Sequence, residues 1–440
     1  MEILIKASQL ILSLSILVIF HEFGHFIAAK AFKTRVEKFY LFFNPWFSLV
    51  KFKIGETLYG IGWLPLGGYV KISGMIDESM DKEQLKQPPQ PWEFRSKPAW
   101  QRLIIMLGGV IVNVILAVFI YIFMLFFWGE EYLPTKEVKY GITCDSLAME
   151  AGLRNGDKII SIDGEAVEVF REIPAKIILD DIKTIQIIRE ESEQEINIPP
   201  EFIGKLIKKK SADFIGIRFP FEVEKFSKNS PARDAGIMID DKIIGINDVN
   251  TVFFDEFRAE ILQHKGEEIS MVIIRDIDTL RKNVSVGENG LVGIHGKSLD
   301  NYFTFKKKDY SIVQAFPAGI KKAVKGINNY FKQLRLLFSP EVKAYESVGG
   351  FISIADIFPP IWDWHAFWSL TAFLSIMLAI LNVLPIPALD GGHVMFLFYE
   401  IITRRKPGDK FMEYAQVVGM ILLFSLLIFA NANDILKLFK

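Results

Sequence analysis

The chain has 440 residues, half of them hydrophobic, with a formal net charge of −1 and one cysteine. The near-neutral balance offers no basic surplus for a nucleic-acid partner, and the lone Cys144 excludes an internal disulfide or a CxxC metal or redox motif. A mean hydropathy of +0.26 is high for a soluble protein and directs attention to membrane spans.

The first predicted element, Ala7–Phe32, is mostly apolar and long enough to cross a bilayer. Only Lys6 is available as a basic n-region, and cleavage after the apolar run would discard the His21–His25 motif, so it reads as a retained span and not a cleaved leader. Inside it stand His21, Glu22, Phe23, Gly24 and His25. Two histidines at i and i+4 share one helix face, so both imidazoles can reach one Zn²⁺. Glu22 between them is placed to take a proton from a water held by that metal. The next lysine, Lys30, lies nine residues on, about 14 Å along a helix. The candidate site is therefore at membrane depth, where ionisable residues are costly and functional by default.

Residues 34–102 read as a cytoplasmic or membrane-associated β segment. Phe39–Phe52 and Tyr59–Ile72 are rich in aromatic and β-branched residues around Gly55, which predicts short strands and hairpins. They form either a sheet that packs on the first span or a strand edge that binds substrate by β-augmentation. Asp77–Pro91 is polar and contains proline, and reads as a mobile connector. A second span follows at 103–128.

Between the second and third spans the chain repeats itself. Ala151-Gly152 and Asp157-Lys158-Ile159-Ile160 recur as Ala235-Gly236 and Asp241-Lys242-Ile243-Ile244, an offset of 84 residues. That period is a domain duplication, not a solenoid. The pattern of short helix, Ala-Gly, turn and apolar strand resembles PDZ domains of the bacterial protease-associated type, and two α+β modules are expected at 135–213 and 214–299. Residues 300–364 follow as external amphipathic helices. Ser311–Phe338 has apolar positions at helical spacing with Lys321, Lys322, Lys325, Lys332 and Arg335. This predicts a solvated helix pair or an interfacial helix that gates substrate entry. Trp362, Trp364 and Trp368 read as an interfacial belt. His264, His295 and His365 have no partner at metal-ligand spacing.

The third apolar stretch, 365–403, is too long for one simple span and is broken by Pro385, Pro387, Gly391 and Gly392. Non-helical backbone at membrane depth is tolerated where it lines a cavity. A catalytic zinc site takes three protein ligands and keeps one position open. Asp390 in this break is the expected third ligand, and His393 is the rival, otherwise read as a supporting imidazole. A fourth span is expected at 411–432. Lys and Arg crowd the 33–102 segment and the Arg404–Lys410 link, which places both in the cytoplasm by the positive-inside rule. The termini and the repeat region then face outward, although Lys6, Lys437 and Lys440 oppose this.

The His21–His25 motif, the run Asn382-x-x-Pro385-x-Pro387-x-Leu389-Asp390-Gly391, and the paired repeats together resemble the site-2 protease family over nearly the whole chain. The layout is nearest its bacterial sigma-E-regulating branch. Pro65-Leu66-Gly67-Gly68-Tyr69-Val70 and Phe94–Pro98 with Arg102 resemble that family's cytoplasmic segment. The resemblance implies a multi-pass α-helical protein of four spans in a bacterial cell inner membrane, with its active site toward the cytoplasm and its PDZ-like region in the periplasm. It implies Zn²⁺ on His21, His25 and Asp390, Glu22 as base, and Asn382 on the substrate backbone. Gly67 and Gly68 would belong to a membrane-associated β-hairpin that presents substrate. The implied activity is cleavage of single-span membrane proteins, such as a pre-trimmed anti-sigma factor or signal-peptide remnants. A non-catalytic PDZ scaffold is the alternative class. Two departures stand out: Val110 and Phe351 occupy places where the family commonly has proline after glycine.

Overall fold

The computed structural model describes residues 1–65, 67–75, 87–209, 213–337 and 349–439. Leu66 and most of the expected mobile connector, 77–86, lie outside them. The chain divides into two compact units: Met1–Gly129 with Asp309–Arg335 and Lys343–Lys440, and Glu130–Lys308 with Leu336–Val342.

In the first unit, four helices are long and apolar enough to cross a membrane: Glu2–Ala31, Ala99–Phe127, Trp364–Val383 and Lys410–Lys437. The second begins directly after Pro98, and the third is capped by Asp363, whose carboxylate accepts from the His365 and Ala366 amides at 2.8 and 3.0 Å. The first and second spans cross at glycine. A Cβ on Gly24 would collide with the Gly108 carbonyl, and one on Gly108 would lie 2.8 Å from the Gly24 carbonyl carbon. Small residues of this kind let helix backbones approach where lipid offers no hydrophobic drive to association. The third span packs on the second through Ala117, Ile120, Tyr121, Ala372 and Ile376. Ser375 Oγ donates to the Asn113 carbonyl at 2.7 Å, and Thr371 Oγ1 donates to Ser13 Oγ at 3.0 Å.

The third apolar stretch is two helices, not one interrupted span. The second piece, Asp390–Thr403, starts after a break at Leu384–Leu389. Gly391 and Gly392 fall inside its first turn and not in the break. The reason is space: a Cβ on Gly391 would strike the Leu384 carbonyl, and one on Gly392 would lie 2.7 Å from the Ile386 carbonyl oxygen.

The segment expected as a solvated helix pair is a single described helix, Ile312–Leu337. Ala315, Gly319 and Ala323 are buried on it. Ala323 joins the Ala117–Ile376 cluster, a Cβ on Gly319 would lie 2.9 Å from the Ile122 amide nitrogen, and one on Gly326 would lie 3.0 Å from Ile376 Cδ1. These small residues form one helix face that packs on the second and third spans.

The 34–102 segment forms a four-stranded sheet from β1 (Val36–Leu41), β2 (Val50–Ile54), β3 (Thr57–Ile61) and β4 (Tyr69–Ile72), in the order β2-β3-β1-β4. Only β2 and β3 make a hairpin, around Gly55, which has φ +58°. β1 runs parallel to β3 and antiparallel to β4, with Phe39 opposite both Tyr59 and Val70. Among the described residues β4 is therefore an edge strand.

The second unit holds two modules of similar layout. The first has strands Lys158–Ile162, Thr184–Arg189 and Ser192–Asn197, and the second has Lys242–Ile246, Glu268–Arg275 and Asp278–Ser285. A strand placed by the sequence in the second module, Ile215–Ile217, pairs with Ile142–Cys144 and closes the first. The boundary thus moves past residue 213, because closing that sheet requires a strand that returns from the far end of the module. Each module carries the same buried clamp. Arg189 holds Asp157 through two bonds of 2.8 Å, and Arg275 holds Asp241 through bonds of 2.8 and 2.7 Å. Both aspartates are 1% exposed. The residues before them, Gly156 and Asp240, both have positive φ, so the Gly-Asp and Asp-Asp dipeptides build the same turn.

Candidate metal centre

His21 and His25 are buried on the inner face of the first span, and Asp390 opens the helix that follows the broken stretch. Nε2 of His21 lies 3.3 Å from Nε2 of His25, and each lies 3.2 Å from Asp390 Oδ2. This triangle is nearly equilateral. Ligands about 2.0–2.1 Å from a tetrahedral zinc stand about 3.3 Å from one another, so the three atoms have the spacing of one face of that tetrahedron. Asp390 Oδ2 is buried and accepts no hydrogen bond, although buried carboxylate oxygens are ordinarily paired. The donor set of two imidazoles and a carboxylate fits a divalent zinc ion. Among the described residues, these three form the group that could hold a metal.

The surroundings orient both rings. His25 Nδ1 lies 2.9 Å from the Ile105 carbonyl, so Nδ1 carries the proton and Nε2 offers its lone pair to the triangle. His21 Nδ1 faces the Asn113 carboxamide at 3.3 Å. Asn113 is fully buried and its Oδ1 has no partner. Turning the amide so that Oδ1 accepts from His21 Nδ1–H satisfies both groups and again frees Nε2. Gly109 lies beneath the two rings, where a Cβ would be 2.5 Å from His25 Nε2 and 2.6 Å from His21 Cε1.

The triangle borders a cavity of about 490 Å³. Glu22, Asn382, His393 and the β4 residues Tyr69 and Val70 line it. Asn382 Nδ2 lies 3.3 Å from His21 Nε2. His393 faces the same space but is not a member of the ligand triangle. Gly68 brings β4 close to the first span: its Cβ would lie 3.4 Å from Glu22 Cγ and 2.7 Å from Val18 Cγ1. Gly67 has φ +149° and packs near the Phe43 ring. The structure thus brings His21, Glu22, His25, Asn382, Asp390 and Gly68 around one cavity.

Sequence reasoning passed over Gly109 and the ring contact of Asn113. An amide inside an apolar span is itself a signal, so Asn113 was open to notice. Gly109 was not, because its role depends on which helix crosses it.

Two imidazoles, a carboxylate and a flanking glutamate, set among helices able to span a membrane, make up the donor set of a metal-dependent hydrolase. The family model for peptidase family M50 matches residues 9–426. A Campylobacter jejuni protein named as a zinc metalloprotease is 30% identical over 97% of this chain and 92% of its own length. The Haemophilus influenzae "Regulator of sigma E protease" is 28% identical over the whole of both chains. The chain belongs to peptidase family M50.

Proposed function

We propose that this chain is an intramembrane zinc endopeptidase that cuts single-span membrane proteins within the bilayer. The observation that carries this reading is the 3.2–3.3 Å triangle of His21 and His25, on a helix able to span a membrane, with Asp390, on the helix that follows another, and with Glu22 on the same cavity. Bound zinc supplies a Lewis acid and makes water acidic enough to act as a nucleophile near neutral pH. Glu22 takes the proton from the attacking water and returns it to the leaving amine. Asn382 offers its amide to the substrate backbone beside His21.

A transmembrane helix hides its peptide carbonyls in its own hydrogen bonds and must unwind locally before attack. β4, an edge strand among the described residues, borders the cavity, and the unwound substrate adds beside it, the β-augmentation mode. Tyr69 and Val70 on that edge, with Gly67 and Gly68 leading into it, then hold substrate next to Glu22. The basic 33–102 segment and the Arg404–Lys410 link, both on one side of the spans, support a site toward the cytoplasm with the repeated modules outside.

The modules are PDZ-like and act as a size filter, which admits clients only after an earlier protease has removed their external domain. A pre-trimmed anti-sigma factor is such a client, and the name of the Haemophilus relative supports it. Signal-peptide remnants are the other client class for the same chemistry. Membrane proteomics of wild type against Glu22→Gln tests the reading. Glu22→Gln should keep its zinc, lose cleavage, and accumulate truncated single-span proteins whose identity separates the two client classes. Turnover near wild type in that variant overturns the mechanism.

A further inference from the structure

Ala388, two residues before Asp390, has φ +77°. An L-residue is strained in that left-handed conformation and keeps it only where its surroundings enforce it. Within the turn, Ile386 N–H donates to the Leu384 carbonyl at 2.7 Å and Leu389 N–H to the Ile386 carbonyl at 3.0 Å. The Ala388 N–H instead reaches across to the fourth span, where Gln416 Oε1 accepts it at 3.3 Å. Gln416 is 4% exposed and lines the metal-site cavity. Gly419, three residues on and on the same helix face, lies so close to Pro387 that any Cβ there would collide with the Pro387 carbonyl.

Beside this contact, the fourth span meets Phe396 through Phe411 and the Phe351 amide through Asn431. Among the residues of that helix whose burial is described, only Gln416, Gly419, Ala430 and Asp434 are buried. Asp434 belongs to a separate contact, where it accepts from the Gly350 and Ser353 amides at 2.9 and 2.8 Å. The contact at Gln416 and Gly419 meets the turn that carries Asp390 at two adjacent residues, Pro387 and Ala388.

We infer that Gln416 is a positioning residue: its carboxamide holds the left-handed turn at Ala388, and that turn aims the Asp390 carboxylate at the two imidazoles. The inference rests on the reading of Asp390 as a metal ligand. When the bond is lost, Ala388 relaxes toward negative φ and Asp390, two residues on, leaves the triangle. A glycine at 388 accepts positive φ without strain and no longer needs the amide.

The test uses the purified full-length protein in detergent, with zinc affinity measured by chelator competition and ligand geometry by the visible bands of the cobalt-substituted form. Gln416→Met keeps the length and packing of the side chain but removes the amide acceptor. It should weaken zinc at least tenfold, shift the cobalt bands, and lower kcat with KM little changed. Ala388→Gly should restore most of the affinity in the double variant, which a mere packing role for the fourth span would not allow. Gln416→Glu, which retains an acceptor oxygen, should hold zinc better than Gln416→Met. Zinc affinity within twofold of wild type in Gln416→Met, while Asp390→Ala loses zinc, overturns the positioning role. Failure of Ala388→Gly to restore affinity also overturns it. Zinc retained at wild-type affinity in Asp390→Ala overturns the ligand reading, and the positioning role falls with it.

Discussion

Gly109 shows how little room the two imidazoles have. A methyl group there would stand 2.5 Å from His25 Nε2 and 2.6 Å from His21 Cε1, well inside van der Waals contact. Gly109→Ala should therefore lose zinc and cleavage together, while Gly408→Ala, which meets nothing within 4 Å, should match wild type in metal analysis and turnover. Cys144 makes a different residue-scale case, away from the spans. Burial, with Asp157 and Asp145 nearby, pushes its thiol from 9.0 up to about 12. A raised thiol pKa keeps the neutral form below it, so at pH 8 the thiolate is about a thousandfold scarcer than at an unshifted site. Maleimide labelling at pH 8 should be very slow in the native protein and fast after denaturation. Native labelling as fast as that of a free thiol would contradict this burial.

At the scale of elements, close approach decides what each helix can do. Gly24 lies between His21 and His25 in the motif and also at the crossing of the first two spans. Gly24→Val should force those helices apart, misplace Asn113 and Gly109 relative to the rings, and reduce zinc occupancy, read by metal analysis of membrane-inserted protein. The helix Ile312–Leu337 follows the same rule. Its lysines suggested a solvated element, but Ala315, Gly319 and Ala323 recur every fourth residue and seat it on its neighbours. In the modules, the repeated clamp is the element to test. Arg275→Ala removes the guanidinium from the buried Asp241 and leaves it only the Met238 amide as a donor, which should loosen the second module. Limited proteolysis should then cut the second module at protease levels that spare wild type, and Arg189→Ala should do the same in the first. Equal resistance in wild type and variant would show that the clamp contributes little.

For the whole molecule, the question is how access to the cavity is controlled. The two modules lie in the chain between the second and third spans, and together they form a compact unit of their own. If they filter clients by size, deleting residues 135–299 and joining the ends with a flexible linker should permit cleavage of an untrimmed client. An immunoblot of full-length client in cells without the earlier protease reads the result. A deletion variant that cuts pre-trimmed client but never the full-length form rules out the filter. The modules differ in one structural respect that bears on this: the helix Pro200–Lys209 packs Phe202 and Leu206 into the first core, and the second module has no described counterpart between Ser285 and Ile294.

The metal motif was legible in the sequence because a helix has a fixed period. His21 and His25, four apart in an apolar run, share a face whatever surrounds them. Asp390 was legible because prolines and glycines interrupt an apolar stretch only where backbone has reason to leave the helix. The four spans followed from length and apolar composition alone, and the repeat from its own recurrence. What the sequence could not supply was partnership between distant segments. Period-2 patterning marks strands but not their neighbours, so the parallel pairing of β1 with β3 and the place of β4 beside β1 emerged only in the folded sheet. The first module takes its closing strand from beyond the expected boundary for the same reason. Asn113, Gly109 and Gln416 act on groups at sequence separations of 92, 84 and 28 residues. A local pattern carries no trace of such contacts. They are decided by which helix faces meet, and that is settled by packing in three dimensions.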